Sequence, residues 1–200
     1  MKGVFIAIEG IDGCGKGTVI KKLATELFEA NKNNHIFLTR EPYKRDWLKK
    51  FLSTIDPNSR GDEALKLFVE DRTQHCKMID ACLKKGILVL SDRYKHSTYA
   101  YQMAQGVPFE RIQELHKGLL IPDLTIVVDV PVAEAMKRIS AGRDQTNAFQ
   151  QEELLTKCKE NYLKLKELLK ENIVYIDGAR DRDSVSADAL RIVAEFLRSK

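Results

Sequence analysis

The stretch EGIDGCGKGT, Glu9 to Thr18, places glycines and one lysine at a spacing suited to holding phosphate. In the common form, G-x-x-x-x-G-K-[ST], the glycines let backbone N–H groups turn inward around phosphate oxygens. The lysine adds a point charge. Gly10, Gly15 and Lys16 hold the fixed positions, but Gly17 stands where a hydroxyl would help hold magnesium. Thr18 follows one residue later. Asp12 is unusual, because a carboxylate beside bound phosphates raises the free energy unless something pairs with it. It could assist a magnesium-bound water or accept a sugar hydroxyl from a second substrate. Cys14 lies near a helix N-terminus, which favours thiolate, yet it reads better as a small loop residue.

A second group is SDRYKHSTYAYQ, Ser91 to Gln102. Asp92 ends an apolar run, and Arg93 opens a helical one, where its fork can bind a phosphate. Arg93, Ser97 and Tyr101 recur at i, i+4 and i+8 and therefore share a helix face. A guanidinium, a hydroxyl and a phenol together suit a small-molecule pocket. Lys95 and His96 read as part of the polar side that faces water. A third group lies in DEALKLFVEDRTQHCKMIDACLKKG. There Leu65, Phe68, Arg72, His75 and Ile79 follow one another at helical spacing. Arg72 interrupts that apolar stripe and must snorkel or pair. Phe68, one turn earlier, could stack a base while Arg72 reaches its edge. His75 reads as a core or rim histidine.

These groups need elements to hold them. Val4–Glu9, HIFLTR, ILVLSD, LTIVVDV and NIVYID are short apolar runs rich in β-branched residues, and each predicts a strand. Helical spacing separates them, over 15–30, 62–84, 94–103, 110–117, 132–139, 149–171 and 184–198. Near-continuous apolar strands alternating with helices predict a parallel sheet covered on both faces. Ligands of such sheets bind beyond the carboxyl ends of the strands. The three motifs that follow the first three strands, GIDGCGKGT, TREP and SDRY, fall there together.

Bulk composition narrows the class. With 44% hydrophobic and 31% charged residues, the 200-residue chain excludes disorder and predicts a soluble globular protein. A net charge of +4 is too mild to imply nucleic acid or a membrane surface, but suits an anionic substrate. Cys14, Cys76, Cys82 and Cys158 form no C-x-x-C pair and no zinc spacing, so reduced cytosolic thiols are the expectation. No run approaches transmembrane length, and the N-terminal apolar run is too short for a signal peptide.

The order of IAIEGIDGCGKGT, TREP, LFVEDRTQH, SDRYKHSTYAYQ and PDLTIVVDVP resembles the thymidylate kinases, over nearly the whole chain. The DRY-x-x-S-T-x-A-Y-Q segment is specific; the phosphate loop alone is not. The resemblance implies a P-loop NTPase-type three-layer α/β sandwich with a five-stranded parallel sheet and helices on both faces. It implies one domain over 1–200, with a short lid at roughly 140–149. It implies phosphorylation of dTMP by ATP with magnesium, in a cytoplasmic homodimer with no nucleic acid or membrane partner.

Residue by residue, the resemblance has Gly10, Ile11, Asp12, Gly13, Cys14, Gly15, Lys16, Gly17 and Thr18 holding ATP. Asp12 would meet the 3′-hydroxyl of dTMP near magnesium, and Asp92 would support the metal or its waters. Phe68 would stack on thymine and Arg72 would contact the base edge. Arg93 would bind the dTMP phosphate, Thr98 would face the base, Tyr101 would press against the deoxyribose, and Ser97 and Gln102 would complete the pocket. Arg40 and Pro42 match the TREP loop, with Lys44 or Arg45 reaching the acceptor phosphate. The polar segment KRISAGRDQTNAFQQ fits the lid, with Arg143 as first candidate for the transition-state cation and Arg138 as second.

An acceptor phosphate is already anionic, so no general base is needed, and the sequence shows no catalytic His–carboxylate arrangement. Catalysis would be positioning plus charge neutralisation by Lys16, Arg93, Arg143 and magnesium. Two alternatives stand beside this reading. GKGT also resembles the loop of adenylate kinases, which would mean a different acceptor. A nucleotide-binding regulator of the switch type would need a guanine-reading N-K-x-D, and the sequence has none.

Overall fold

A computed structural model describes residues 2–44, 46, 48, 60–140 and 148–200. Five strands form one sheet: β1 (Phe5–Glu9), β2 (Ile36–Arg40), β3 (Leu88–Asp92), β4 (Leu124–Asp129) and β5 (Ile173–Asp177). Their order is β2-β3-β1-β4-β5 and every pairing is parallel. β1 is buried along its whole length, as its unbroken apolar run predicts, whereas edge strand β2 alternates between half-buried and exposed residues.

The connections are helical: α1 (Lys16–Ala30), α2 (Arg60–Lys84), α3 (Lys95–Ala104), α4 (Phe109–Leu115), α5 (Val132–Ser140), α6 (Ala148–Leu169) and α7 (Arg182–Arg198). Alternate residues of a strand point to opposite faces, and β1 shows both faces covered. Phe5 and Ala7 join Cys76, Ile79 and Leu83 of α2, while Ile6 and Ile8 join Val19, Ile20 and Leu23 of α1. α1 also packs on α7, and α3 packs on α6.

The chain leaves β1 toward β2 and β3, then crosses to β4 on the other side of β1. The crevice at such a switch point lies beyond the carboxyl ends of the strands. Glu9, Arg40 and Asp92 end three of these strands.

Candidate active site

The loop after β1 is shaped by its neighbours. Gly13 has φ 79°, and a Cβ there would stand 2.4 Å from the Ala135 carbonyl oxygen of α5. Only glycine allows that approach together with that backbone. The N-cap of α1 is Gly15, which has no side chain to cap the helix, so the amides of Lys16 and Gly17 at its start can face an anion. The Lys16 ammonium coils back into the loop, donating to the Gly10 and Ile11 carbonyls at 3.1 and 2.9 Å. Arg138 braces the loop from outside: it donates to the Cys14 carbonyl at 3.3 Å, to the Gly178 carbonyl at 3.2 Å, and pairs with Glu134. A Cβ added at Gly17 would meet nothing within 4 Å. The missing hydroxyl is therefore not imposed by packing.

Arg93 forms the facing wall. Its backbone is left-handed, φ 71°. Its guanidinium donates to Asp12 Oδ1 at 2.5 Å and to Ser97 Oγ at 2.8 Å, and lies 5.3 Å from the Tyr101 ring. The Tyr101 hydroxyl donates to Asp12 Oδ2 and accepts the Asp12 amide, both at 3.1 Å. The carboxylate that looked out of place in a phosphate loop thus has its partners. Burial pushes the Asp12 carboxyl up, but Arg93 and Lys16 outweigh it and hold it below its ordinary value. Ser97 and Tyr101 lie one turn apart on α3, as helical spacing predicts, but Arg93 does not open that helix: it precedes the N-cap in a left-handed conformation and reaches the two only with its side chain. Ser97, however, turns its hydroxyl inward, to the buried carboxylate of Glu9 at 2.6 Å and to the Tyr162 hydroxyl at 2.9 Å.

A cavity of about 460 Å³ lies between the two walls, lined by Asp12, Lys16, Gly17, Arg40, Asp92 and Arg93 among others. Arg40 is exposed at its mouth. Asp92 Oδ1 is buried and, among the described residues, has no hydrogen-bond partner. An orphan carboxylate oxygen is costly and suits a site that takes a cation or its waters.

Beyond Arg93 lies a buried cluster around Arg72, which is only 2% exposed. Its Nε and Nη2 donate to Glu41 at 2.8 and 2.5 Å, Nη2 also donates to Thr98 Oγ1 at 2.9 Å, and Nη1 meets His116 Nε2 at 2.6 Å. A guanidinium has five N–H donors, so among the described residues one remains, on Nη1. Burial works against the Arg72 charge, but Glu41 outweighs it and the group is held above its ordinary value. Glu41 also pairs with His75 Nδ1 at 3.0 Å, and His75 Nε2 meets Thr39 Oγ1 at 2.8 Å. Asp71 accepts the amides of Tyr43 and Lys44 at 2.6 and 2.8 Å. Together they pin the loop after β2 to α2. Phe68 is half-buried one turn before Arg72 and, among the described residues, joins neither core cluster. Gln102 is buried with Oε1 unpartnered.

His116 has a legible protonation state. Arg72 can only donate, so His116 Nε2 accepts, and Nδ1–H donates to the Ile112 carbonyl at 2.7 Å. Burial and Arg72 push this imidazole down to about 3 from its ordinary 6.5. Between those values only the unfolded chain takes up the proton. Stability should therefore fall as pH drops from about 6.5 toward 3. Urea unfolding of the native chain and His116→Asn checks this. The variant should lose less stability than the native chain between about pH 7 and pH 5; equal losses would contradict the assignment.

Two expectations need correction. Lys95 and His96 do not face water. Both are buried, and both pair with Glu171, at 2.5 and 3.1 Å. Their partner enters from beyond α6, where helical periodicity of α3 carries no signal. Arg143, most of the expected lid and Arg45 lie outside the described residues. Sequence reading also passed over Glu41, Asp71, His116 and Glu9. An arginine inside an apolar stripe did signal that an acid must meet it, but not which one.

The whole chain can be set beside known proteins. A profile of the family described as thymidylate kinase matches residues 8–189. The chain is 40% identical to a probable thymidylate kinase of Thermococcus onnurineus, covering 97% of this chain and 98% of that one. It is 38% identical to a probable thymidylate kinase of Pyrococcus abyssi, covering 98% of each. It is 34% identical to a thymidylate kinase of Xanthomonas oryzae pv. oryzae, covering 99% of this chain and 86% of that one.

Proposed function

The chain belongs to the thymidylate kinase family, and from that premise we propose that it transfers the γ-phosphoryl group of ATP to dTMP, giving ADP and dTDP. The observation that carries this reading is the cavity with the phosphate loop on one wall and Arg93 on the other. Two anions of like charge must approach each other in this reaction, and a cation on each wall supports that approach. Lys16 would leave its loop carbonyls for the outer phosphates of ATP. Arg93 would exchange its contact with Asp12 for the acceptor phosphate. Tyr101 and Asp12 would then face the deoxyribose.

The base would lie between Phe68 and Arg72. The free N–H of Arg72 can donate to a carbonyl on the pyrimidine edge, and an amino group in its place would leave two donors face to face. Thr98 is committed to Arg72, so its part in base binding would be to orient that guanidinium. Gln102, with its unpartnered Oε1, would close the same end. Arg138 would border the nucleotide donor from outside the loop.

Magnesium fits the donor set. Asp92 offers an orphan carboxylate oxygen, and Asp92 and Asp12 both line the cavity, so they would hold the ion, in part through water. Most of the remaining contacts to the ion would come from the phosphates of ATP. When bound, it neutralises charge on ATP. Gly17→Ser tests where the ion sits, because the added side chain has room. The half-saturating magnesium concentration should fall about tenfold, the worth of one contact to a charged group. An unchanged magnesium dependence would place the metal away from position 17.

The reaction class is tested by ADP release with and without dTMP. ADP should form only when dTMP is present. ATP hydrolysis that ignores the acceptor would favour a switch-type nucleotide hydrolase instead.

A further inference from the structure

We propose that Glu9 is a positioning residue for the acceptor phosphate, acting through Ser97 on the Arg93 guanidinium; the proposal rests on the reading of Arg93 given above. Glu9 ends β1 and is fully buried, so its carboxylate has no access to water. Its four hydrogen bonds among the described residues converge on the segment that carries Arg93 or on the helix behind it, and His96 Nδ1 of the same segment lies 3.9 Å from Oε1. Oε1 accepts the Tyr94 and Ser97 amides at 2.7 and 3.2 Å, and Oε2 accepts the Ser97 and Tyr162 hydroxyls at 2.6 and 2.9 Å.

The two amides belong to the start of α3. Tyr94 occupies the N-cap position and supplies no side-chain bond there. The carboxylate of Glu9 replaces the missing cap from the neighbouring strand, at the positive end of the helix dipole. It also fixes the peptide that follows Arg93. The Arg93 amide itself donates to the Ile8 carbonyl at 3.0 Å. Both peptides flanking the left-handed residue are thus held by the end of β1. A sparsely populated backbone conformation persists only where its surroundings over-determine it in this way.

The hydroxyl contact fixes the direction of the relay. A carboxylate only accepts, so Ser97 must donate its hydrogen to Glu9 and turn a lone pair outward. That lone pair takes the Arg93 Nη1 donor at 2.8 Å. Glu9 is also the residue before Gly10, where the phosphate loop begins. One strand end therefore sets both the loop that would hold ATP and the guanidinium that would hold the acceptor. Their separation is the quantity that in-line transfer depends on.

Calorimetric titration with dTMP and with thymidine, which lacks the phosphate, tests the proposal. Glu9→Gln keeps the volume and one acceptor oxygen, but its NH₂ cannot accept the Ser97 and Tyr162 hydroxyls. The dTMP Kd should rise about tenfold or more, and the thymidine Kd should stay within about twofold of native. In the Arg93→Ala background Glu9→Gln should change the dTMP Kd no further. Equal weakening of dTMP and thymidine, or an effect that multiplies with Arg93→Ala, would overturn the proposal and leave Glu9 a support of the fold. If Glu9→Gln does not fold, Ser97→Ala carries the same test, with the same selective loss expected and equal weakening overturning it. A native chain that binds no dTMP would instead overturn the proposed function. Native-like dTMP binding by Arg93→Ala would overturn the assignment of Arg93.

Discussion

Replacing Arg93 with alanine should lower dTMP-dependent kcat/KM by about 10³-fold or more, the scale of a positioned cation in phosphoryl transfer. The side chain touches Asp12, Ser97 and the Tyr101 ring, whereas Arg40, which also lines the cavity, is exposed. The fold should survive, because Arg93 already sits at a positive φ that alanine tolerates no worse. Arg93→Lys separates charge from geometry. It keeps the cation but loses the fork that matches a phosphate, so its rate should fall between the two. Steady-state kinetics with thermal melts of each variant would check both points. A rate near native for Arg93→Ala would remove this residue from the acceptor site.

Arg72→Met should be the most destabilising single change near the site, by about 3–5 kcal/mol, because it leaves a buried carboxylate without its cation. Among the described residues Glu41 would keep only His75 as a side-chain partner, and His116 and Thr98 would each lose a donor. For a chain of this size that corresponds to a Tm lower by about 10 °C. The double variant Arg72→Met/Glu41→Gln should recover part of the loss, since it removes both charges together. It should not recover dTMP turnover, because the free N–H that would read the base is gone. Denaturant unfolding and kinetics on the same three proteins would separate the two effects. A double variant no more stable than Arg72→Met would contradict the ion-pair account.

The strands were legible because burial on both faces leaves few sequences to choose from. FIAIE and LTIVVD are near-continuous apolar runs that end in a carboxylate, and they came out as β1 and β4 within a residue of expectation. Helix periodicity likewise placed Ser97 and Tyr101 on one face of α3, but not Arg93, whose left-handed backbone ahead of the helix left no periodic signal. The parts that failed are those whose meaning comes from a distant partner. Lys95 and His96 look like solvated residues until Glu171 is brought to them. Ser97 lies on the expected face, yet Glu9 and Tyr162, 88 and 65 residues away in sequence, turn its hydroxyl inward. Glu41 read as one letter of TREP, although it anchors two residues of α2. Gly17 looked like a defect, and the open space beside it shows that packing does not demand it.

The central claim, that the acceptor is dTMP, is tested most directly by kcat/KM measured in parallel for dTMP, dUMP, AMP and CMP with ATP as donor. The contacts around Arg72, Phe68 and Tyr101 predict that dTMP is used far better than AMP and CMP. CMP presents an amino group where thymine has a carbonyl, and AMP presents a purine. Preference for AMP over dTMP would contradict the account and return the chain to an adenylate kinase-like reading.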